Sequence, residues 1–355
     1  MLTKSRLFLV FIGIMMVLAW PFVGKSGTFL VYDSSVSIFL DEDDVLHPYL
    51  YTGTGGARTV RVCIDPTSPF GTQMVPSLRA AIQNINTLQH STENLVDPSA
   101  EVPASSNDFY SVALHELLHC VAGVGHVNFD SQVVGDLPSY STNSFGGADG
   151  ALSLTPGGDG TYGTADDARG DDINLFWFNR GLNDPYRVLP TVDETTYSRA
   201  AVDLPSGHSF AANGNFIAAG FAGFPNLKPV MEVASFPGTE VRTLAPDDSV
   251  NLRYGTTGLD EIAGTSDDYS LLVEFGGVST AGCHVLVRFA AQSPDFLAGC
   301  ETQAIAIQPG ARHFRLAGTG EIRFNSTKRW HFYAVSVFSD GFEAGDTSAW
   351  ASTVP

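Results

Sequence analysis

The chain of 355 residues carries a formal net charge of −19 at pH 7, and such an acidic surface repels nucleic acid and anionic membranes, so we expect neither as a partner. Hydrophobic residues make up 44% of the chain and charged residues only 16%, which excludes a disordered polyelectrolyte and supports a packed core.

The N-terminus resembles an export signal. Lys4 and Arg6 precede an apolar run from Leu7 to Ala19, which is too short for a comfortable membrane span. We therefore expect residues 1–25 to be a signal peptide or an uncleaved N-terminal anchor. The rest of the chain is then secreted, periplasmic or displayed at the cell surface.

Four cysteines in an exported chain favour two disulfides. Cys283 and Cys300 are close in sequence and are expected to close one loop, which leaves Cys63 to pair with Cys120. Four cysteines allow three connectivities, and buried free thiols are the alternative.

The predicted elements follow in chain order. Residues 58–65 alternate β-branched residues with arginines and predict a strand. Residues 75–88 carry apolar residues at helical spacing, and a second helix is predicted from about Asp108 to Val121, with Gly123 as its stop. Short alternating runs over 256–340 predict a small antiparallel β domain.

An acidic pattern occurs twice. Residues 157–167 and 258–268 share G-x-D-x-x-x-G-T-x-D-D. Carboxylate oxygens on flexible glycine turns suit Ca²⁺, although the spacing is not that of an EF-hand, and a recurring acidic surface turn is the alternative. The candidate calcium ligands are Asp159, Asp166, Asp167, Asp260, Asp267 and Asp268.

The stretch HELLHCVAGVGH, residues 115–126, predicts a zinc site. His115 and His119 are four residues apart on a predicted helix, so their side chains project from one face, close enough to bind one metal ion. Glu116 lies beside them and is the candidate general base for a zinc-bound water. Two histidines on an ordinary core helix are the alternative.

The same stretch resembles the metzincin motif H-E-x-x-H-x-x-G-x-x-H, with one extra residue before the last histidine. The resemblance implies His126 as the third zinc ligand, because Gly123 and Gly125 give the backbone freedom to absorb the insertion. Residues 229–255 resemble the matrixin-type Met-turn and the helix after it. There Met231 would lie beneath the metal as a packed, non-ligating residue.

The resemblance implies an α+β fold and a zinc metalloendopeptidase acting on proteins or peptides, which we expect to be monomeric. The catalytic domain would span residues 26–255, with a mixed sheet, the zinc helix and a large insertion at about 127–228. The β domain (256–340) and a short tail (341–355) would follow. A Cys63–Cys120 bridge would then fasten the zinc helix to the sheet.

Two questions stay open at the level of sequence. A catalytic zinc needs three protein ligands, and Asp130 or Asp166 could replace His126 as the third. Asp166 lies in a segment similar to the aspzincin motif, but the same G-T-x-D-D recurs at 264–268, which favours a repeated loop. The alternative functions are an exported binding protein with an inactive protease-like domain and a calcium-stabilised structural protein.

Overall fold

The structure is a computed structural model that describes residues 29–33, 36–39, 44–125, 158, 160, 177–181, 187–198, 228–232, 235–307 and 312–333. The predicted signal segment, the C-terminal tail and five candidate ligands lie outside these residues: His126, Asp130, Asp159, Asp166 and Asp167. Within the described ranges, none of the helices has the length and apolar content that a membrane crossing requires.

The described residues contain three helices and fourteen strands. The helices are α1 (Gly71–Thr87), α2 (Phe109–Ala122) and α3 (Pro246–Gly255). The strands are β1 (Leu30–Asp33), β2 (Val36–Phe39), β3 (Val45–His47), β4 (Gly56–Ile64), β5 (Leu95–Val96), β6 (Asn107–Asp108), β7 (Phe178–Asn179), β8 (Tyr197–Ser198), β9 (Glu240–Val241), β10 (Tyr269–Val278), β11 (Val285–Ala290), β12 (Ala298–Ala306), β13 (His313–Asn325) and β14 (Trp330–His331).

One six-stranded sheet organises the fold. Its order is β10-β4-β11-β13-β12, with β3 also paired to β13. All pairs are parallel except β12, which runs antiparallel to β13. The protein therefore has a mixed α/β fold with five parallel strands, and helices α1 and α2 contribute to the same hydrophobic core.

The prediction of a separate antiparallel β domain over 256–340 is wrong. Strand β10 pairs in parallel with β4, and β11 lies between β4 and β13. The alternation of apolar and polar residues shows that one face of a strand is buried, but it does not say which strand is its neighbour or in which direction that neighbour runs.

Helix α2 forms as predicted, and both of its ends are determined locally. The carboxylate of Asp108 accepts the Ser111 N–H at 3.1 Å and caps the first turn. Arg242 holds the same carboxylate through two hydrogen bonds of 2.9 and 3.0 Å. At the other end Gly123 has φ 67°, and a Cβ at this position would lie 2.0 Å from the Leu46 side chain, so glycine is required there.

Two disulfides form, but the predicted pairing is wrong. The bonds are Cys63–Cys283 and Cys120–Cys300. Cys283 precedes β11, the sheet neighbour of β4, which carries Cys63. Strand β13 separates β11 from β12, which carries Cys300, so closeness in sequence did not decide the pairing. Two disulfides indicate an oxidising environment, either extracellular or periplasmic.

A buried histidine pair joins β3 to β13. His47 is fully buried, and its Nε2 lies 3.0 Å from His313 Nδ1. Its Nδ1 lies 3.3 Å from the Tyr269 hydroxyl. Burial, together with the neighbouring His313, lowers the pKa of His47 to about 3. The unfolded chain therefore takes up a proton below pH 6.5 that the folded chain excludes until about pH 3.

We expect this histidine to make the protein acid-sensitive. The free energy of unfolding should fall as the pH drops from 6.5 toward 3, with a contribution from His47 of up to about 1.4 kcal/mol per pH unit. Urea unfolding at pH 7.5 and pH 5 gives the loss of unfolding free energy in each protein, and we expect a smaller loss in His47→Gln than in the wild type. An equal loss of stability in the two proteins would contradict the assignment to His47.

Candidate metal centre

The two motif histidines, His115 and His119, lie next to each other on α2. Their Nε2 atoms are 3.2 Å apart. The Nδ1 atom of His115 lies 2.6 Å from the Val230 carbonyl oxygen, and the Nδ1 atom of His119 lies 2.5 Å from the Val124 carbonyl oxygen. Each ring is thus held by a main-chain carbonyl from outside the helix.

These contacts determine which ring nitrogens carry protons. A carbonyl oxygen only accepts, so each Nδ1 must be an N–H donor. Burial lowers the pKa of His115 to about 4 and that of His119 well below its usual value, so both rings are neutral at pH 7. A neutral ring with Nδ1–H has a lone pair on Nε2. Each of the two Nε2 atoms, which lie 3.2 Å apart, can therefore offer a lone pair to a cation.

This arrangement fits a tetrahedral metal ion. Two lone pairs at such a distance repel unless a cation lies between them. Zinc–nitrogen bonds of about 2.0–2.1 Å in tetrahedral geometry place two ligand nitrogens about 3.3–3.4 Å apart. Zinc-binding histidines characteristically donate their other N–H to a carbonyl or carboxylate, as both rings do here. The donor set of His115 and His119 thus fits zinc.

Glu116 is the third motif residue, and it lines the same pocket as His115. One carboxylate oxygen accepts the backbone N–H of Cys300 on β12. The other, Oε2, is buried and has no hydrogen-bond partner among the described residues. Burial raises the pKa of Glu116 to about 8, and a cation bound by the histidines would lower it. A buried carboxylate oxygen of this kind is suited to accept a proton.

The turn that contains Met231 lies against His115. The carbonyl of Val230 is the partner of His115, and Met231 is almost completely buried. Asp248 on α3 accepts the N–H groups of Val230 at 2.8 Å and Met231 at 3.2 Å. It also accepts the Ala245 N–H at 2.8 Å, so one carboxylate holds the turn and the start of the helix. The structure therefore places the Val230 carbonyl, and through it the turn held by Asp248, against His115, while the Met-turn role of Met231 stays a prediction.

The neighbouring Asp247 has a different role. It accepts the Trp177 N–H at 2.9 Å, and the Trp177 ring lies 4.1 Å from the ring of Tyr254, measured between centroids. Burial and the nearby Asp248 raise the pKa of Asp247 well above its usual value. This contact attaches part of the predicted insertion to α3.

A pocket of about 190 Å³ opens beside Glu116. One wall is the face of α2 that carries Ser111, Val112 and His115, and another is the segment from Lys228 to Glu232. Leu297 and Ala298, just before and at the start of β12, also line it. The reasoning from sequence did not identify Lys228 or Glu232, since neither belongs to a motif.

The second acidic repeat forms a compact loop. Asp260, Asp267 and Asp268 place one carboxylate oxygen each within 4.8 Å of one another. The Thr265 hydroxyl lies between them, at 3.3, 2.6 and 3.1 Å respectively. Backbone N–H groups of the loop also donate to these carboxylates. Calcium at this loop stays a prediction, since the same contacts stabilise an acidic turn without an ion.

A scan against protein-family models and searches of curated proteins and of solved structures return no match to this chain. The metzincin resemblance therefore rests on the motif residues and on the contacts described above.

Proposed function

We propose that the protein is an exported zinc-dependent endopeptidase of the metzincin type. The observation that carries this proposal is the pair of Nε2 atoms 3.2 Å apart, on two rings that are each held through Nδ1 by a carbonyl contact. The unpartnered Oε2 of Glu116 beside the same pocket supports it. An ordinary core helix requires neither arrangement.

Each residue of the site has its own proposed role in hydrolysis. His115 and His119 would hold the zinc, with His126 as the proposed third ligand. When bound, zinc supplies Lewis acidity that polarises the scissile carbonyl. Glu116 takes the proton from the attacking water and passes it to the leaving amine. The Cys300 N–H orients the carboxylate for both transfers.

Metal content tests the proposal most directly. We expect about one zinc per chain in the wild type, measured by elemental analysis, and hydrolysis of a denatured protein substrate by the same sample. His119→Ala should lose both, and so should His126→Ala if His126 is the third ligand. His331→Ala, on β14, is the control and should keep both.

The outcomes separate the alternatives. Zinc and activity that survive in His126→Ala would move the third ligand to Asp130 or Asp166. A folded wild type without zinc would overturn the enzyme and favour the exported binding protein. Calcium, if the loop at 258–268 binds it, would be found in the same analysis and would be lost in Asp267→Asn.

Asp248 provides a test of the turn beneath the site. In Asp248→Asn an NH₂ group replaces one oxygen that accepts backbone N–H groups, so the Val230 carbonyl should no longer hold His115 firmly. We expect zinc affinity to fall about 10- to 100-fold, measured by competition with a chelator. Asp247→Asn is the matched control, because Asp247 does not contact the turn. Equal zinc affinity in both variants would show that Asp248 does not help to hold the zinc site in place.

A further inference from the structure

Two opposite charges line the pocket beside Glu116. Lys228 and Glu232 flank the Met231 turn, and they are only 3% and 8% exposed. Both belong to the wall of the same pocket as His115 and Glu116. Lys and Glu are rarely buried to this degree, so their presence at the wall of a cleft needs a chemical reason.

The main chain of Lys228 is held rigidly. The side-chain amide of Asn94 accepts the Lys228 N–H at 2.9 Å and donates to the Lys228 carbonyl. The ammonium lies 5.0 Å from the centre of the Phe236 ring, and its charge acts on His115. Lys228 also interacts with Glu232 and with Asp97, and Asp97 is exposed to solvent. Lys228 is thus held by its main chain in the wall of the pocket that His115 and Glu116 also line.

An ammonium group only donates hydrogen bonds, and a carboxylate only accepts them. A carboxamide side chain offers one carbonyl acceptor and two N–H donors, so it complements both charges at once. A glutamate or aspartate side chain would be repelled by Glu232, and a lysine or arginine side chain would be repelled by Lys228. An aliphatic side chain would contact both charged groups without offering either of them a hydrogen bond.

We propose that this pocket selects substrates with glutamine or asparagine directly after the scissile bond. The inference rests on the proposed peptidase function. Glu116 hands its proton to the leaving nitrogen, and that nitrogen belongs to the residue after the scissile bond. Because Glu116 and His115 form one wall of the pocket, the side chain of that residue is the one that enters it.

The first test is the cleavage profile of the wild type. A library of peptides from denatured proteins is digested, and mass spectrometry of the new N-termini reads the residue after each cut. Five synthetic peptides that differ only at this position, with Gln, Asn, Glu, Lys or Leu, then give kcat/KM. We expect the Gln and Asn peptides to be cleaved about 10- to 100-fold better than the other three. A preference for Leu, Glu or Lys would overturn the inference.

Two variants test the origin of the preference. Lys228→Met leaves Glu232 and should shift the preference toward Lys, whereas Glu232→Gln leaves Lys228 and should shift it toward Glu. Lys328→Met and Glu274→Gln, on residues that do not line the pocket, are the matched controls and should keep the wild-type profile. Unchanged profiles in folded pocket variants would contradict the roles of Lys228 and Glu232.

Failure of the inference and failure of the proposed function give different results. A wild type that binds zinc and cuts peptides with a different preference overturns only the inference. A folded wild type that holds no zinc and cuts no peptide overturns both. If the pocket variants do not fold, as shown by circular dichroism, the wild-type profile alone decides.

Discussion

Replacing Glu116 by glutamine is expected to lower kcat by about 10²- to 10⁴-fold and to leave about one zinc per chain. The amide oxygen of glutamine can still accept the Cys300 N–H, so the side chain should keep its position. It can no longer take a proton from water. The substitution therefore removes the proposed general base and little else.

Steady-state hydrolysis of a peptide substrate and elemental analysis on the same samples measure this effect. Glu274→Gln is the control, since Glu274 is an exposed residue of β10. Retained activity in the Glu116 variant would exclude Glu116 from the mechanism. Loss of zinc together with activity would instead show that Glu116 supports the metal site.

The second large effect concerns the disulfides. Cys120→Ala/Cys300→Ala should lower the free energy of unfolding by about 2–5 kcal/mol. Cys63→Ala/Cys283→Ala should cost a similar amount, because the two bonds span comparable separations of 180 and 220 residues. Only Cys120–Cys300 ties α2 to β12 beside the N–H that holds Glu116. Only its removal should therefore reduce activity under conditions in which both variants stay folded.

Urea unfolding and peptide hydrolysis at the same temperature separate these contributions. The Cys63/Cys283 variant serves as the matched control for a general loss of stability. If both variants lose activity to the same extent, the Cys120–Cys300 bond has no particular role at the site. A disulfide stabilises a protein mainly by reducing the conformational entropy of the unfolded chain, so unchanged stability in both variants would contradict the expected loss.

Local features of the fold could be predicted from the sequence. Helix α2 and its stop at Gly123 follow from helical spacing and from the conformational freedom of glycine. Strand β4 follows from its alternation of β-branched residues. The partners of β10 and β11 could not be predicted, because alternation reports a buried face and not a neighbour. The disulfide pairing depends on the same sheet order, so it was wrong for the same reason.

In the candidate site, too, local features could be predicted from the sequence and long-range contacts could not. The spacing of His115 and His119 predicts that they share a helix face, and the structure places their Nε2 atoms 3.2 Å apart. Their carbonyl partners, from Val230 and Val124, could not be predicted. Every residue has a main-chain carbonyl, so the sequence does not show which carbonyl accepts the hydrogen bond. Lys228 was also missed, since one lysine between two predicted elements resembles any surface residue.

The surroundings of α2 come from distant parts of the chain. Phe29 forms a β-bridge with Val124 just beyond its end, β14 pairs with β6 just before its start, and Cys300 is bonded to Cys120 within it. During synthesis from the N-terminus, the HExxH helix is therefore made about 200 residues before its last packing partners. The helix gains these contacts only after β14, the last strand among the described residues, has been made. Such a chain order would keep the proposed site incomplete until residue 331 has been added.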